Sequence, residues 1–219
     1  MTEKNEPLKR GNPFASCLFL WIILLSVASF CFPKLDSFAF INGHHHPIAD
    51  IFFATITFAG DGYVIVGLGL TLYFMRHRTL GIALVASYIS SGLLCSLLKR
   101  TFHAPRPVAF FADNPDFNAV SWMPMAYHNS FPSGHTTSVF AMVMTIALFS
   151  KNRTMAHIAL LVGCLTAYSR VYLGQHFVED LWLGTFLGCS VSLLCYRIYV
   201  AWPQRSANRI RVRIPSLNV

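Results

Sequence analysis

The chain has 219 residues, enough for one compact domain or slightly more, and its composition excludes most soluble classes. Only 12% of the residues are charged, against roughly 25% in an average soluble domain, whereas 54% are hydrophobic. A net charge of +8 is typical of nucleic-acid-binding proteins, but those proteins use many cations to contact phosphates, and this chain has few. The composition therefore predicts a membrane protein with several spans and without a nucleic-acid partner.

Six stretches with little or no formal charge approach the length of a membrane span. A bilayer with a hydrocarbon core of about 30 Å needs about 20 apolar helical residues. The first stretch is longer than the apolar part of a signal peptide and has no clear cleavage site, so a cleaved leader is the less favoured alternative. We predict an all-α fold, a bundle of six transmembrane helices, that forms a single membrane-embedded domain over residues 1–219. The predicted spans are residues 11–33, an interfacial helix near 50–59 with a span that ends before Arg76, 79–98, 136–150, 154–169 and 181–202.

The distribution of cations predicts the orientation of the bundle. If the N-terminus is cytoplasmic, 12 of the 17 Lys and Arg residues lie on the inner side, as the positive-inside rule requires. Both termini are then cytoplasmic. The inner cations are Lys4, Lys9, Arg10, Arg76, Arg78, Lys151, Arg153, Arg197, Arg205, Arg209, Arg211 and Arg213.

Two other sequence features favour structural interpretations. Gly184 and Gly188 form a G-x-x-x-G pattern in the last span, which we assign to close packing inside the bundle, with homodimerisation as the weaker alternative. His44, His45 and His46 in the first outer loop are expected to form a solvated turn, because no second group of metal ligands stands beside them. We predict no metal site in this chain.

Three outer cations and one helix start lie at the outer ends of the predicted helices. Lys99 ends the third span, Arg106 follows seven residues later, and Arg170 ends the fifth span. The fourth span begins with FPSGHTT, which puts residues 133–135 at a helix N-terminus, where free N–H groups bind anions. The topology places all of these groups on the same side of the membrane, so they predict a phosphate-binding pocket there.

A nucleophile and a proton donor are available at the same end of the bundle. His176 and Asp180 are four residues apart, which puts them on one face of a helix end. The carboxylate can keep one imidazole nitrogen protonated, so that the other presents its lone pair outward. His135 can then protonate the leaving oxygen as a general acid. The set meets the needs of phosphoryl transfer with neither metal nor cofactor, because the cations neutralise the charge on the phosphoryl group.

The same residues form three motifs along the chain. They are K-x6-R-P over 99–107, P-S-G-H over 132–135 and S-R-x5-H-x3-D over 169–180. In this order, and on one side of six spans, they resemble the three-part motif of the type-2 phosphatidic acid phosphatase superfamily, which also includes the vanadium haloperoxidases. The resemblance covers residues 79–196 closely and the first two spans only by layout.

The resemblance implies a fold and a role for each residue. It implies a six-helix membrane phosphatase with core motifs over 99–180 and the active site at the outer ends of helices 3 to 6. His176 is implied to form a phosphohistidine without metal, with Asp180 orienting it and His135 as the general acid. The residues that it implies for phosphate binding are Lys99, Arg106, Ser133, Gly134 and Arg170.

The span lengths favour a membrane lipid as the substrate. The fourth and fifth spans offer only about 15 or 16 residues up to the motif residues, so the pocket should lie slightly within the outer leaflet. A lipid headgroup then reaches the pocket while its tails stay in the bilayer. The aromatic-rich loop 108–131 suits the membrane interface, and His103 and His128 are candidate substrate contacts.

The predicted function is that of an integral lipid phosphatase of the bacterial inner membrane, with its active site facing the periplasm. The candidate substrates are a polyprenyl diphosphate such as undecaprenyl diphosphate and a lipid A phosphate, with phosphatidylglycerol phosphate as a third. One alternative is a phosphotransferase that passes the phosphoryl group to another lipid. A second alternative is a non-catalytic phospholipid transporter, but such proteins usually contain inverted repeats, and the sequence has no internal repeat.

Overall fold

The structure of the chain, a computed structural model, describes Leu8 and residues 12–111, 117–150 and 152–213, with backbone alone from residue 201 onward. Within these ranges the chain forms α-helices and one 3-10 turn, which confirms the predicted all-α class. The helices are α1 Pro13–Phe30, α2 Lys34–Asn42, α3 Pro47–Ile56, α4 Gly62–Phe74, α5 Arg78–Phe102, α6 Val108–Phe111, α7 Gly134–Phe149, α8 Arg153–Tyr172 and α9 Val178–Arg213.

Four or five of the six predicted spans have the length and composition to cross a membrane. Helices α1, α5 and α8 and the first 23 residues of α9 meet this test alone, and α3 and α4 meet it as a pair bent by 57°. Helix α7 has 16 residues and is about 24 Å long, less than the roughly 30 Å of the hydrocarbon core. The chain is a multi-pass membrane protein, and the sixth span stays a prediction.

Helix α7 forms the centre of the bundle, where its residues from 136 to 148 are all buried. Two glycines of α9 lie against it. A β-carbon at Gly184 would lie 3.0 Å from the carbonyl oxygen of Ser133, and one at Gly188 would overlap the carbonyl oxygen of Thr137. The glycines therefore let α9 approach the backbone of α7, which confirms their predicted role in packing inside the bundle.

A break between α3 and α4 interrupts the second predicted span. The 3-10 turn Thr57–Gly60 joins the two helices, and Asp61 caps α4 by accepting the N–H of Tyr63 at 3.0 Å. A β-carbon at Gly60 would lie 2.8 Å from the carbonyl oxygen of His135, so the turn lies directly against the start of α7. The helix predicted near 50–59 is present as α3, whereas its location at the membrane interface stays a prediction. The break brings Asp61 beside the start of α7.

The first outer loop differs from the solvated turn predicted for His44, His45 and His46. The half-buried His45 ring stacks on Tyr172 with 4.2 Å between centroids. Its Nε2 lies 2.9 Å from the carbonyl oxygen of Tyr172, and its Nδ1 lies 2.9 Å from Asp50 Oδ1. The prediction is wrong for His45, because these contacts anchor the loop to the C-terminal end of α8.

Most of the cations that predict the orientation cannot be assigned to a side of the bundle. Lys4, Lys9, Arg10 and Lys151 lie outside the described residues, and so do the side chains of four C-terminal arginines. The cytoplasmic location of both termini therefore stays a prediction. The four arginines are Arg205, Arg209, Arg211 and Arg213.

Candidate active site

The predicted site residues come together at one end of the bundle, on the ends of α5, α7, α8 and α9. Lys99 lies in the last turn of α5, Arg170 in the last turn of α8 and Asp180 in the first turn of α9. His135, in the first turn of α7, interacts electrostatically with the three predicted phosphate-binding cations and with His176. The motifs are thus adjacent in space although up to 81 positions separate them along the chain, from 99 to 180.

The imidazole of His176 is held by the carboxylate of Asp180. The distance from His176 Nδ1 to Asp180 Oδ2 is 3.1 Å, and both side chains are buried. The same carboxylate oxygen accepts the backbone N–H of Phe177 at 2.9 Å. With the proton on Nδ1, the lone pair of Nε2 is available for bond formation.

His176 is kept neutral by its surroundings. Burial lowers the pKa of its imidazole well below the ordinary value of 6.5, and the charges of Arg106, Arg170 and Lys99 lower this pKa further. A neutral imidazole is the form that can act as a nucleophile, so the pocket favours the reactive state of His176.

Ser130 joins the histidine and the carboxylate, and no predicted motif includes it. Its buried hydroxyl donates to Asp180 Oδ2 at 2.5 Å and lies 3.3 Å from His176 Nδ1. The serine thus fixes the carboxylate that orients the imidazole. The available sequence signal was its place two residues before P-S-G-H, which is too weak to assign a role.

Arg106 is fixed by acceptors from two segments. Its Nε donates to the carbonyl oxygen of His128 at 3.0 Å, and one terminal nitrogen donates to Gln175 Oε1 at 3.1 Å. Burial lowers the pKa of this guanidinium, and Asp180 raises it. Gln175, which no motif singles out, therefore aims a cation of the site. Among the described residues, the side chains of His128 and His103 form no hydrogen bond, so their predicted substrate contacts stay untested.

Arg170 is a buried cation with an incomplete set of partners. Its side chain is 6% exposed, and one terminal nitrogen donates to Thr57 Oγ1 at 2.7 Å. Its Nε has no hydrogen-bond partner in the described part of the chain. Because a buried unpaired donor is destabilising, a guanidinium in this state is suited to receive an anion.

The start of α7 combines a cap with a set of free backbone donors. Ser133 Oγ accepts the N–H of Thr136 at 3.4 Å, and the N–H of Ser133 donates to the carbonyl oxygen of Asp180 at 3.1 Å. Ser133 is therefore the N-cap that its sequence position predicts. The N–H groups of Gly134 and His135 have no backbone acceptor in the described ranges, so they can bind a phosphate oxygen.

Two cavities meet at His135. The larger one, of about 500 Å³, lies below loop residues 122–124 and contains Arg170 and Gln175. The smaller one, of about 260 Å³, lies between α4 and α5 and contains Lys99. Asp61, at the break between α3 and α4, lines both. A substrate bound at the cations can therefore extend into either cavity next to His135. In both cavities it would lie beside the carboxylate of Asp61.

Comparison with known proteins supports one family. The family model described as PAP2 superfamily matches residues 80–204. A lipid A 4'-phosphatase from Porphyromonas gingivalis is 28% identical over 175 residues, which cover 74% of this chain and 71% of the relative. An undecaprenyl-diphosphatase from Sulfolobus acidocaldarius is 34% identical over 134 residues, which cover 61% of this chain and 62% of that protein.

Solved structures resemble the fold. The crystal structure of Aquifex aeolicus LpxE matches with a TM-score of 0.68 and 28% identity, over 76% of this chain and 96% of that one. A transmembrane phosphatidylglycerolphosphate phosphatase from Bacillus subtilis matches with a TM-score of 0.60 over 94% of this chain and 98% of that one. At 23% identity, the second likeness concerns the fold alone.

Proposed function

Because the chain belongs to the PAP2 superfamily, we propose that it is a membrane lipid phosphatase that works through a phosphohistidine on His176. Its substrate is a phosphomonoester or diphosphate on a lipid headgroup, either a polyprenyl diphosphate such as undecaprenyl diphosphate or a lipid A phosphate. The observation that carries the proposal is the buried His176–Asp180 pair surrounded by Lys99, Arg106 and Arg170. Relatives named as phosphatases of both substrates support the same class.

In the first step the lone pair of His176 Nε2 attacks phosphorus. The N–P bond forms as the bond between phosphorus and the headgroup oxygen breaks. His135 gives its proton to this oxygen, so a monoester releases its headgroup as an alcohol and a diphosphate releases a lipid monophosphate. The three cations and the free N–H groups of α7 stabilise the charge on the equatorial oxygens. Asp180 stabilises the positive charge that develops on the imidazole.

In the second step water attacks the phosphorus of the phosphohistidine. His135, now neutral, accepts the proton of the water, and the N–P bond breaks to return its electron pair to His176. Without substrate, burial lowers the pKa of His135, and the nearby cations lower this pKa further. A bound phosphate dianion offsets these cations, so the protonated general acid forms when the substrate is present.

The short central helix favours a substrate that stays in the membrane. Helix α7 begins beside the cations and is about 6 Å shorter than the hydrocarbon core, so the site lies near the depth of lipid headgroups. We propose a location in the bacterial inner membrane, with both termini in the cytoplasm and the site facing the periplasm.

The test of this function is phosphate release from purified protein in EDTA. We expect release from at least one of three lipids, a polyprenyl diphosphate, a lipid A phosphate and phosphatidylglycerol phosphate, because the cations of the site replace a metal ion in neutralising charge. Release without an acceptor lipid contradicts the phosphotransferase alternative. Binding without release from any lipid contradicts the phosphatase and favours a transporter, and loss of activity in EDTA contradicts metal independence.

The pH dependence of kcat/KM tests the state of His176. Removing the charge of Arg106 as Arg106→Gln raises the pKa of His176, because a neighbouring cation disfavours the imidazolium form. As the pH falls, His176 of this variant is therefore protonated, and no longer nucleophilic, at a higher pH than in the wild type. We expect the acid limb of kcat/KM, which reports on the free enzyme, to move to higher pH in this variant, besides a general loss of activity.

The control for this measurement is Arg100→Gln, which removes the same charge from an exposed neighbouring position on α5. With one substrate for all proteins, the ionisation of the substrate phosphate cancels in the comparison. An acid limb that stays in place in Arg106→Gln, or that moves equally in Arg100→Gln, contradicts the assignment.

A further inference from the structure

The carboxylate of Asp61 is an acidic group in a pocket built for anions. It lines both cavities at His135, and it interacts electrostatically with Arg170. One of its oxygens caps α4, and no salt bridge or further hydrogen bond involves this side chain in the described ranges. The mechanism above gives Asp61 no part in the transfer of the phosphoryl group.

The position of His135 tells which part of the substrate Asp61 meets. The general acid has to stand next to the leaving oxygen, so the headgroup that leaves extends into a cavity beside His135. Both cavities contain Asp61. Whichever cavity the headgroup occupies, it passes this carboxylate.

The cations of the cavities do not compensate for a charged leaving group. The described lining of the larger cavity includes Arg170 as its cation, and that of the smaller one includes Lys99. Both already bind the transferred phosphoryl group in the proposed mechanism. When the substrate is a diphosphate, the leaving group is a lipid monophosphate. Its negative charge would lie beside Asp61, and no further cation of the cavity would neutralise it. When the substrate is a phosphomonoester, the leaving group is a neutral alcohol.

We infer that Asp61 selects phosphomonoesters on hydroxyl-rich, uncharged headgroups, such as a lipid-linked sugar, by accepting a hydrogen bond from the headgroup and repelling an anionic leaving group. This inference rests on the proposed phosphatase function. The larger cavity, of about 500 Å³, falls in the range of small-molecule sites and adds further groups for a sugar. Thr55 has an exposed hydroxyl that can accept a hydrogen bond, and Trp122 has an exposed ring at the cavity.

The test compares two lipids and three proteins. The lipids are a glucosamine disaccharide lipid with one phosphate monoester and a polyprenyl diphosphate, and the measurement is kcat/KM for phosphate release. Asp61→Asn removes the charge while keeping a residue that caps helices as well as aspartate does. Asp36→Asn, an exposed aspartate in the first turn of α2, removes the same charge away from both cavities.

We expect the wild-type protein to prefer the monoester. Asp61→Asn should lower kcat/KM for the monoester and raise it for the diphosphate, so that their ratio falls by about tenfold or more, because a repulsive charge at contact distance is removed. Asp36→Asn should leave the ratio unchanged. Asp61→Ser should shift the ratio in the same direction, because serine also caps helices. This second variant keeps the test valid if Asp61→Asn does not fold.

A wild-type preference for the diphosphate overturns the inference. So does a ratio that Asp61→Asn and Asp61→Ser leave unchanged. Either result leaves the proposed function standing, because phosphate is still released. Release from neither lipid by the wild-type protein overturns the proposed function and this inference with it.

Discussion

Replacing His176 by alanine is expected to lower kcat for phosphate release by at least about 10⁴-fold. The reason is that the variant has no nucleophile, and loss of a nucleophile in covalent catalysis removes all but the contribution of binding and electrostatic stabilisation. His176 is 2% exposed, so its truncation also leaves a cavity. The measurement is therefore paired with a thermal unfolding curve, and the larger His176→Gln, which fills more of this space, should be equally inactive.

The matched control is His44→Ala, which removes an exposed loop histidine whose ring contacts the preceding helix α2 at the carbonyl oxygen of Phe40. It should retain wild-type turnover. When turnover is stopped by rapid denaturation in alkali, phosphate should remain covalently bound to the wild-type protein. The His176→Ala variant should carry none. Turnover by His176→Ala within tenfold of the wild type would exclude the phosphohistidine.

Replacing Arg170 by methionine is expected to change activity and stability in opposite directions. Activity should fall about a hundredfold to a thousandfold, the usual effect of removing one donor to a transition-state oxygen. Stability should rise, because the variant no longer buries a cation whose Nε lacks a partner in the described part of the chain. An unpaired buried polar group costs about 1–3 kcal/mol, so the unfolding temperature should increase by a few degrees.

Arg170→Lys separates charge from geometry in the same test. Lysine keeps the cation but not the planar set of donors, so activity should fall strongly while the unfolding temperature does not rise. A less stable Arg170→Met would mean that the bond to Thr57 outweighs the burial of the cation. Wild-type activity in Arg170→Met would remove Arg170 from the phosphate site.

The main features of the site follow from the sequence because the motifs occupy helix ends. Hydrophobic length fixes where α5, α7 and α8 end, and the order of the spans puts those ends on one side. Lys99, Arg170 and Asp180 occur in the last or first turns of their helices. The length and order of the spans were therefore enough to predict that these side chains meet, and the family resemblance completed the assignment of their roles.

The sequence did not indicate the residues that support the site from other segments. Ser130, Thr57 and Gln175 carry ordinary polar side chains, which occur on most protein surfaces. Their contacts join residues that are far apart in the sequence, such as Thr57 and Arg170, which are separated by 113 positions. Such pairs depend on how helices pack, and no periodicity along a single segment encodes that.

His45 shows the same limit in the first outer loop. A histidine run before a proline is typical of a solvated turn, and the sequence offered no reason to pair His45 with Asp50 and Tyr172. The pairing forms because α3 packs along α8, which brings the loop to the C-terminal end of α8. Burial in this case is decided by the packing of two helices rather than by the composition of the loop.

The bend between α3 and α4 separates two tasks that one segment would otherwise share. The three motifs lie on α5, α7, α8 and α9 and their connections, whereas Thr57 and Asp61 come from a break in another span. Thr57 binds Arg170 and Gly60 lies against His135, so these two positions must stay as they are. Positions 55, 58 and 61 line the larger cavity and can vary with less effect on the phosphate-binding groups. A library randomised at these three positions would be the shortest route to new headgroup preferences, and relatives with the same motifs need not share a substrate.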